Sequence, residues 1–140
     1  MSQENVEFLR NLFAGPESAD KEALLAALPL MIPEVCDPEI EWVEDPTRAD
    51  GRTYRGHEGV RDSFTRWLEN FEQYRIEVES ITDHGDRALV QAVEHGRGSA
   101  SAADVSARVF VIVTFRDGKI LRYQEFYDEA AALEAVGLSE

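Results

Sequence analysis

Residues 105–127 constrain the fold most, because two runs of β-branched and aromatic residues meet there at an Asp-Gly pair. Residues 109–113 form the first apolar run, and residues 119–127 follow the Asp117-Gly118 dipeptide. Glycine readily adopts the positive φ that a tight primed turn requires, so this pattern predicts a long antiparallel hairpin. Side chains of both faces of its second strand mix apolar and polar groups, which predicts a sheet covered on both sides.

Helical patterns precede and follow this hairpin. Apolar residues at three- and four-residue spacing predict helices over residues 6–13, 20–28 and 56–71, the second with Asp20 as its N-cap and Pro29 as its end. A last helix over residues 129–136 ends at Gly137. Further strands are predicted over residues 40–44, 76–81 and 87–95. This order indicates one α+β domain over residues 1–140, with helices gathered on one face of an antiparallel sheet.

Charge and composition exclude several classes of function. The chain has 28 acidic and 14 basic residues, a net charge of −14, which disfavours nucleic acid and anionic membrane surfaces as partners. The single cysteine, Cys36, has no internal disulfide partner, and no group of residues has the spacing of metal ligands. The polar start and the absence of a run of 18 apolar residues predict a cytoplasmic protein with no membrane span.

Three motifs carry a family resemblance. They are Glu-Trp-Val-Glu-Asp-Pro at residues 41–46, Tyr-Arg-Gly-His-Glu-Gly-Val at residues 54–60, and Arg-Asp-Gly-Lys-Ile at residues 116–120 followed by Phe-Tyr-Asp at residues 126–128. The chain resembles SnoaL-like proteins of the nuclear transport factor 2-like superfamily, which are related to polyketide cyclases and ketosteroid isomerases. The resemblance implies a curved sheet whose concave face, covered by helices, forms a cone-shaped cavity. It implies the fold more strongly than the activity, because the superfamily holds several kinds of enzyme and proteins without catalysis.

The resemblance also implies which side chains face the cavity. Alternate residues of the last three strands are expected to point inward, since successive side chains of a strand lie on opposite faces. They are Leu89, Gln91, Val93 and His95; Val109, Val111 and Val113; and Leu121, Tyr123, Glu125 and Tyr127. The candidate substrate-binding residues are Trp42, Tyr54, Phe64, Trp67, Gln91, Val111, Tyr123, Glu125 and Tyr127.

Asp45 is the first catalytic candidate, because it occupies the position at which the resembled isomerases carry a proton-shuttling carboxylate. Nearby rings such as Trp42 and Phe64 would raise its pKa toward neutrality and suit it to act as a general base. The alternative is a turn former, since Asp-Pro after a strand commonly starts a turn. The chain departs from the isomerases at the oxyanion donors, with no tyrosine before Tyr54 and with Val111 in place of an acid. Steroid isomerisation is therefore not predicted.

Three further polar residues each have two interpretations. His95, the second catalytic candidate, is either an acid, base or oxyanion donor, or a strand-end residue bonded to a backbone carbonyl. Glu125 is either a cavity carboxylate held by neighbouring tyrosines or the partner of an arginine such as Arg108 or Arg97. Gln91 either orients a ligand carbonyl or satisfies a neighbouring side chain.

These observations lead to two functional hypotheses and one on assembly. The first is a cofactor-free isomerase, cyclase or lyase acting on a small hydrophobic carbonyl compound, with Asp45 as base and His95, Gln91 or Tyr123 as donors. The second is a module that binds a small ligand without chemistry, in keeping with the missing oxyanion donors. The outward sheet face is expected to form a homodimer interface, since it is too apolar to stay open. That face comprises Phe110, Ile112, Ile120, Arg122, Gln124 and Phe126.

Overall fold

The structure is a computed structural model that describes residues 2–13, 21–48, 51–98 and 104–137. These residues contain four helices and six strands. Their bounds are α1 Ser2–Phe13, α2 Lys21–Val35, β1 Cys36–Val43, β2 Thr53–Arg55, α3 Gly56–Leu68, β3 Phe71–His84, β4 Arg87–Gly98, β5 Asp104–Arg116, β6 Lys119–Phe126 and α4 Glu129–Val136.

The strands form one curved, open sheet in the order β2-β1-β6-β5-β4-β3. Neighbouring strands are antiparallel except β1 and β6, which run parallel. The predicted hairpin is confirmed as β5 and β6. Its turn residues Asp117 and Gly118 have φ values of 53° and 78°, the two positive values that a type I′ turn requires.

Helices α1, α2 and α3 pack on one side of the sheet, which we call the inner face. Leu9, Leu28 and Val60 contribute one fully buried side chain from each helix. They join a single apolar core with Val90 of β4 and Val111 of β5. Burial of these aliphatic side chains is the main favourable contribution to folding. The predicted α+β architecture, with helices over the concave face, is confirmed.

The opposite side of the sheet, the outer face, is covered in part by α4. Phe110 and Ile112 of β5 are buried there against Ala132 and Val136 of α4. Ile120, expected on this side, belongs to the inner core instead, because a register shift between Thr114 and Phe115 changes the parity of β6. The premise of an open apolar outer face is therefore wrong. A homodimer itself stays a prediction.

Strand β4 presents the opposite faces from those predicted. Its register pairs Val90 with Val111 and Ala92 with Val109, so the even-numbered residues face inward. The prediction that Gln91 and His95 face the cavity is wrong, as it is for Leu89 and Val93. Leu89 is apolar and buried because α4 covers it from outside. Because apolar residues lie on both faces of β4, its sequence does not indicate which face points toward the helices.

Local boundaries differ from expectation at two helices. Helix α2 continues through Pro29 and Pro33, although proline removes a helical hydrogen bond and crowds the preceding turn. Leu28 and Ile32 of the same stretch are buried in the core, and this packing holds the helix together. Asp20, the predicted N-cap, lies outside the described residues. Phe71 begins β3 rather than extending α3, and β2 was not predicted.

None of the helices in the described ranges is long and apolar enough to cross a membrane.

Candidate functional site

A cavity of about 40 Å³ lies between α3 and the inner face of β1, β3, β4 and β6. Its lining combines aromatic rings with three glutamates, one arginine and one serine. The lining residues are Trp42, Glu44, Arg48, Ser63, Phe64, Trp67, Tyr74, Glu94, Tyr123 and Glu125.

One wall of the cavity is a stack of rings set by strand register. Trp42 of β1 pairs with Tyr123 of β6 in the parallel ladder, which brings their side chains side by side. Their ring centroids are 3.7 Å apart and the planes differ by 2°. Phe64 of α3 closes on Trp42 with a centroid distance of 5.1 Å. The stack is therefore fixed by two paired strands and one helix.

A second aromatic group joins the end of α3 to β3. Trp67 lies 5.1 Å from Phe71 and 6.1 Å from Tyr74, measured between ring centroids. The Phe71 ring packs so closely on Gly96 of β4 that a Cβ atom there would lie 2.5 Å from it. Glycine at this position lets the ring lie flat against the sheet. This packing holds the neighbouring Tyr74 side chain over β4.

Glu94 is the buried acid that this arrangement surrounds. Its side chain is on the inner face of β4, with 8% of the residue exposed, and it accepts a hydrogen bond from the Tyr74 hydroxyl. Burial raises the pKa of Glu94 to about 7, helped by the negative charge of Glu125 and opposed by the hydrogen bonds of Tyr74 and Tyr127 and by the charge of Arg48. A carboxyl in this range exchanges its proton near neutral pH.

Arg48 bridges two other acids of the lining. Its Nη1 atom is 3.3 Å from a carboxylate oxygen of Glu44 and 3.3 Å from one of Glu125. The guanidinium carbon also lies 4.5 Å from the centroid of the Trp67 ring, a cation–π contact. Glu44 accepts a further hydrogen bond of 2.8 Å from Ser63. Burial raises the pKa of Glu125 even though Arg48 opposes the rise.

Asp45 lies beside this cluster, with both carboxylate oxygens already engaged. One oxygen accepts hydrogen bonds from the backbone N–H and the hydroxyl of Thr47, at 2.7 Å and 2.6 Å. The other accepts from the backbone N–H of Tyr127. Burial alone would raise the pKa of Asp45, but these donors hold it below the usual value. The arrangement is that of an Asx turn tied to the end of β6.

The predicted site residues fall into three groups. Five line the cavity, two lie outside it on the outer face, and the other four are not part of its lining. Tyr54 accepts a hydrogen bond from Arg66, Val111 is fully buried in the core, and Tyr127 is half-buried with a pKa raised by burial and the charge of Glu94. The five lining residues are Trp42, Phe64, Trp67, Tyr123 and Glu125.

His95 and Gln91 make outer-face contacts in place of cavity contacts. The two ring nitrogens of His95 lie 2.9 Å from the Ser106 hydroxyl and 3.1 Å from the Glu77 carboxylate. Gln91 donates to Glu79 at 3.1 Å. Residues on the neighbouring strands satisfy the hydrogen-bonding groups of His95 and Gln91, so neither side chain contributes to the cavity lining.

Five lining residues were not predicted from the sequence. Glu94 follows the small apolar residues at positions 88, 90 and 92, and an acid continuing such a buried series is the signal that could have found it. Tyr74 alternates with Ile76 and Val78 in the same way. The five are Glu44, Arg48, Ser63, Tyr74 and Glu94.

Within the described part of the chain, no group of three or more histidine, cysteine, aspartate or glutamate side chains is arranged to hold a metal ion.

Solved structures share this fold over most of the chain. A presumed SnoaL-like polyketide cyclase from Jannaschia sp. CCS1 is 20% identical, with a TM-score of 0.71 over 96% of this chain and 92% of the other. TerC, crystallised with polyporic acid, is 23% identical, with a TM-score of 0.67 over 95% and 98%. A protein of ketosteroid isomerase-like fold from Catenulispora acidiphila, in complex with trimethylamine, is 20% identical, with a TM-score of 0.64 over 84% and 91%. No functionally curated protein matches the chain.

A match between the sequence and a family model assigns the chain to a family. The profile of the SnoaL-like domain matches residues 9–123, which span α1 to β6 and include every residue of the cavity lining except Glu125. This match agrees with the fold shared with the solved structures and with the motifs recognised in the sequence. The chain therefore belongs to the SnoaL-like domain family.

Proposed function

We propose that this protein is a cofactor-free enzyme of the isomerase or cyclase type, which moves a proton on a small carbonyl compound bound among the aromatic rings. In this proposal Glu94 carries the proton. The observation that supports it most is the position of Glu94, a buried carboxyl in the cavity wall whose one oxygen is held by the Tyr74 hydroxyl. Acid-base catalysis requires such a group, fixed in direction and accessible to the substrate.

The proposed chemistry follows from the protonation of Glu94. Near its pKa of about 7, the carboxylate and carboxylic acid forms coexist at neutral pH. The carboxylate takes a proton from the carbon next to the substrate carbonyl, and the resulting enol or enolate takes the proton back at another carbon. A catalytic pKa near the working pH gives the best balance between these two transfers. The Tyr74 hydroxyl hydrogen-bonds one oxygen and the Tyr127 side chain also hydrogen-bonds the carboxyl, so both tyrosines fix its direction during the transfer.

Glu94 suits this role better than Asp45 does. Both acids are buried, but Asp45 accepts three hydrogen bonds from the turn and from β6, and its pKa is lowered. A carboxylate held in this way is a weak base, because its ionised form is stabilised and three of its four acceptor positions are already used. We therefore assign Asp45 to the architecture of the cavity rim.

Relatives of the same fold support a small-molecule substrate. TerC was crystallised with polyporic acid, and the protein from Catenulispora acidiphila with trimethylamine. These ligands differ in chemistry, so they support the class of ligand and leave its identity to this chain's own residues.

A small enone provides a test of proton transfer. The probe is 3-cyclohexen-1-one, a six-carbon ring ketone that becomes conjugated 2-cyclohexen-1-one when one proton moves from C2 to C4. We expect the wild-type protein to accelerate this change, followed by ultraviolet absorbance, and Glu94→Gln to lose roughly 10²- to 10⁴-fold of the acceleration. Glu79→Gln is the matched control, because Glu79 lies on the outer face and pairs with Arg108. Equal rates for wild type and Glu94→Gln would reject Glu94 as the proton carrier.

A second candidate is a binding protein that uses the same cavity without chemistry. It is favoured by one observation: every lining carboxylate already has a hydrogen-bond or ion-pair partner, as in a structural cluster. Calorimetry that finds the enone bound to wild type, together with no conversion of it, would favour this candidate.

A further inference from the structure

The cavity is too small for an organic substrate as it stands. Its volume is about 40 Å³. One water needs about 10–15 Å³ measured with a water-sized sphere, and a cavity that takes benzene measures about 150 Å³. The volume is thus that of a few waters. A ring-sized ligand enters only if a lining side chain moves.

Arg48 has the longest side chain of the cavity lining, and its backbone lies in a turn rather than in a helix or strand. The aromatic lining residues belong to α3 or to strands of the sheet, where packing fixes their directions. Glu44 and Arg48 lie outside helices and strands, in the turn after β1. Glu44 is held by the Ser63 hydroxyl and the backbone N–H of Arg52. The long side chain of Arg48 reaches back to the cavity from a turn, with 13% of it exposed.

The place that the Arg48 guanidinium fills has the chemistry of a cation site. Carboxylate oxygens of Glu44 and Glu125 each lie 3.3 Å from Nη1, and the Trp67 ring lies 4.5 Å from the central carbon. When Arg48 swings out, two buried carboxylates lose their counter-charge, so a neutral ligand binds more weakly than one whose own cation replaces the guanidinium. The lining of described residues has three glutamates to one arginine, so it disfavours an anionic ligand.

We propose that the ligand of this cavity carries a basic nitrogen, whose protonated form replaces the Arg48 guanidinium between Glu44, Glu125 and the Trp67 ring. For the reaction of that ligand the inference rests on the proposed function, whereas the binding stands without it. The class of ligand is thus a small organic cation such as an alkylammonium or a guanidinium, attached to the part that Glu94 would act on. Arg48 serves as the internal occupant of the site until the ligand arrives.

Removing the internal cation tests this exchange. Arg48→Met keeps the apolar stem of the side chain and removes its charge. We expect it to bind methylguanidinium about tenfold or more tightly than wild type, because the ligand then needs to displace nothing. Isothermal titration calorimetry measures the affinity. The neutral analogue N-methylurea, nearly identical in shape, should show no such gain.

Two further variants make the result specific. Arg55→Met removes an arginine of β2 whose side chain is 73% exposed and pairs with Glu41, and it should bind methylguanidinium as weakly as wild type does. Adding Glu125→Gln to Arg48→Met should abolish the gain. If Arg48→Met is too unstable for calorimetry, methylguanidinium at low concentration should raise its melting temperature and N-methylurea should not.

Equal affinity of Arg48→Met and wild type for methylguanidinium, or equal response to both ligands, would overturn the exchange. These binding measurements do not depend on whether the protein converts a substrate. If Glu94→Gln still converts the enone, only the role of Glu94 as proton carrier is rejected. If methylguanidinium does not bind, only the exchange of Arg48 for a ligand cation is rejected.

Discussion

At the scale of the residue, Glu94 and Asp45 are two buried carboxyls whose surroundings shift their pKa values in opposite directions. Glu94 has hydrogen bonds from the Tyr74 and Tyr127 side chains and lies near the charge of Glu125, so burial determines the result and the pKa rises to about 7. Asp45 accepts three hydrogen bonds, and its pKa falls. The number and direction of donors therefore decide which of the two acids keeps its proton near neutrality.

Asp45→Asn provides a prediction at this scale. The amide can still accept from Thr47, but its NH₂ group then faces the backbone N–H of Tyr127, which loses its acceptor. Leaving a buried donor unsatisfied costs roughly 1–3 kcal/mol, so we expect a lower free energy of unfolding. Urea titration measures this loss. Turnover per folded molecule should be retained, whereas abolished turnover at unchanged stability would restore Asp45 as the catalytic base.

The decrease in the free energy of unfolding caused by Asp45→Asn should depend on pH in a definite direction. The pKa of Asp45 is lower in the folded protein than the unfolded value of about 3.9, so the folded state favours the carboxylate. Its contribution is present above the unfolded pKa and disappears as pH falls through the folded pKa. The difference in stability between wild type and Asp45→Asn should therefore be largest at neutral pH and shrink below about pH 4.

At the scale of the element, the pairing of β3 with β4 places the proposed acid and its donor together. Tyr74 lies opposite Gly96 in the register, and its ring reaches diagonally to Glu94. Phe71 packs over the same glycine. The ladder and the close ring contact thus determine where the Tyr74 hydroxyl lies.

Gly96→Ala tests that contact. The added Cβ would lie 2.5 Å from the Phe71 ring, so the ring or the strand must shift. Overpacking of this kind costs roughly 1–3 kcal/mol, measured as a decrease in the free energy of unfolding. In the background of Phe71→Ala the same substitution should cost much less, which a double-mutant cycle detects. An equal cost in both backgrounds would show that the Phe71 ring does not determine the requirement for glycine.

The elements differ in how far the sequence predicts them. The β5–β6 hairpin has an Asp-Gly turn with the local geometry that those residues favour, so the hairpin was predicted. The inward direction of Tyr123 and Glu125 came from the family resemblance, and the register shift that turns Ile120 inward was not predicted. The inner and outer faces of β4 were predicted the wrong way round. Leu89 is buried by α4 and Val90 by the core, and no local pattern separates two apolar faces. That information resides in contacts between distant parts of the chain.

The catalytic candidates show the same limit. Asp45 was found through a motif, but its hydrogen bonds come partly from Tyr127, far away in the sequence. Glu94 has no motif around it, and its raised pKa depends on burial beneath rings of α3 and β3. The fold was thus predictable from local turns and periodicity, whereas the choice of acid depends on tertiary contacts.

At the scale of the whole molecule, one chain covers both faces of its own sheet. Helices α1 to α3 cover the inner face and α4 covers part of the outer face. The described cavity lining combines three glutamates with one arginine in a protein whose net charge is already −14. Burial in this lining, helped by the charge of Glu125, raises the pKa of Glu94 to about 7, so that this acid is partly protonated at neutral pH.

The titration of Glu94 tests this account most directly. Carbon NMR of protein labelled at the glutamate side-chain carboxyl follows each acid as pH is varied, and the signal absent from Glu94→Gln identifies the residue. We predict that this carboxyl titrates at about pH 7, because burial keeps its proton on in the folded state. A titration near the ordinary glutamate value of about 4.3 would show that Glu94 is solvated and ionised, and would contradict its role as the proton carrier.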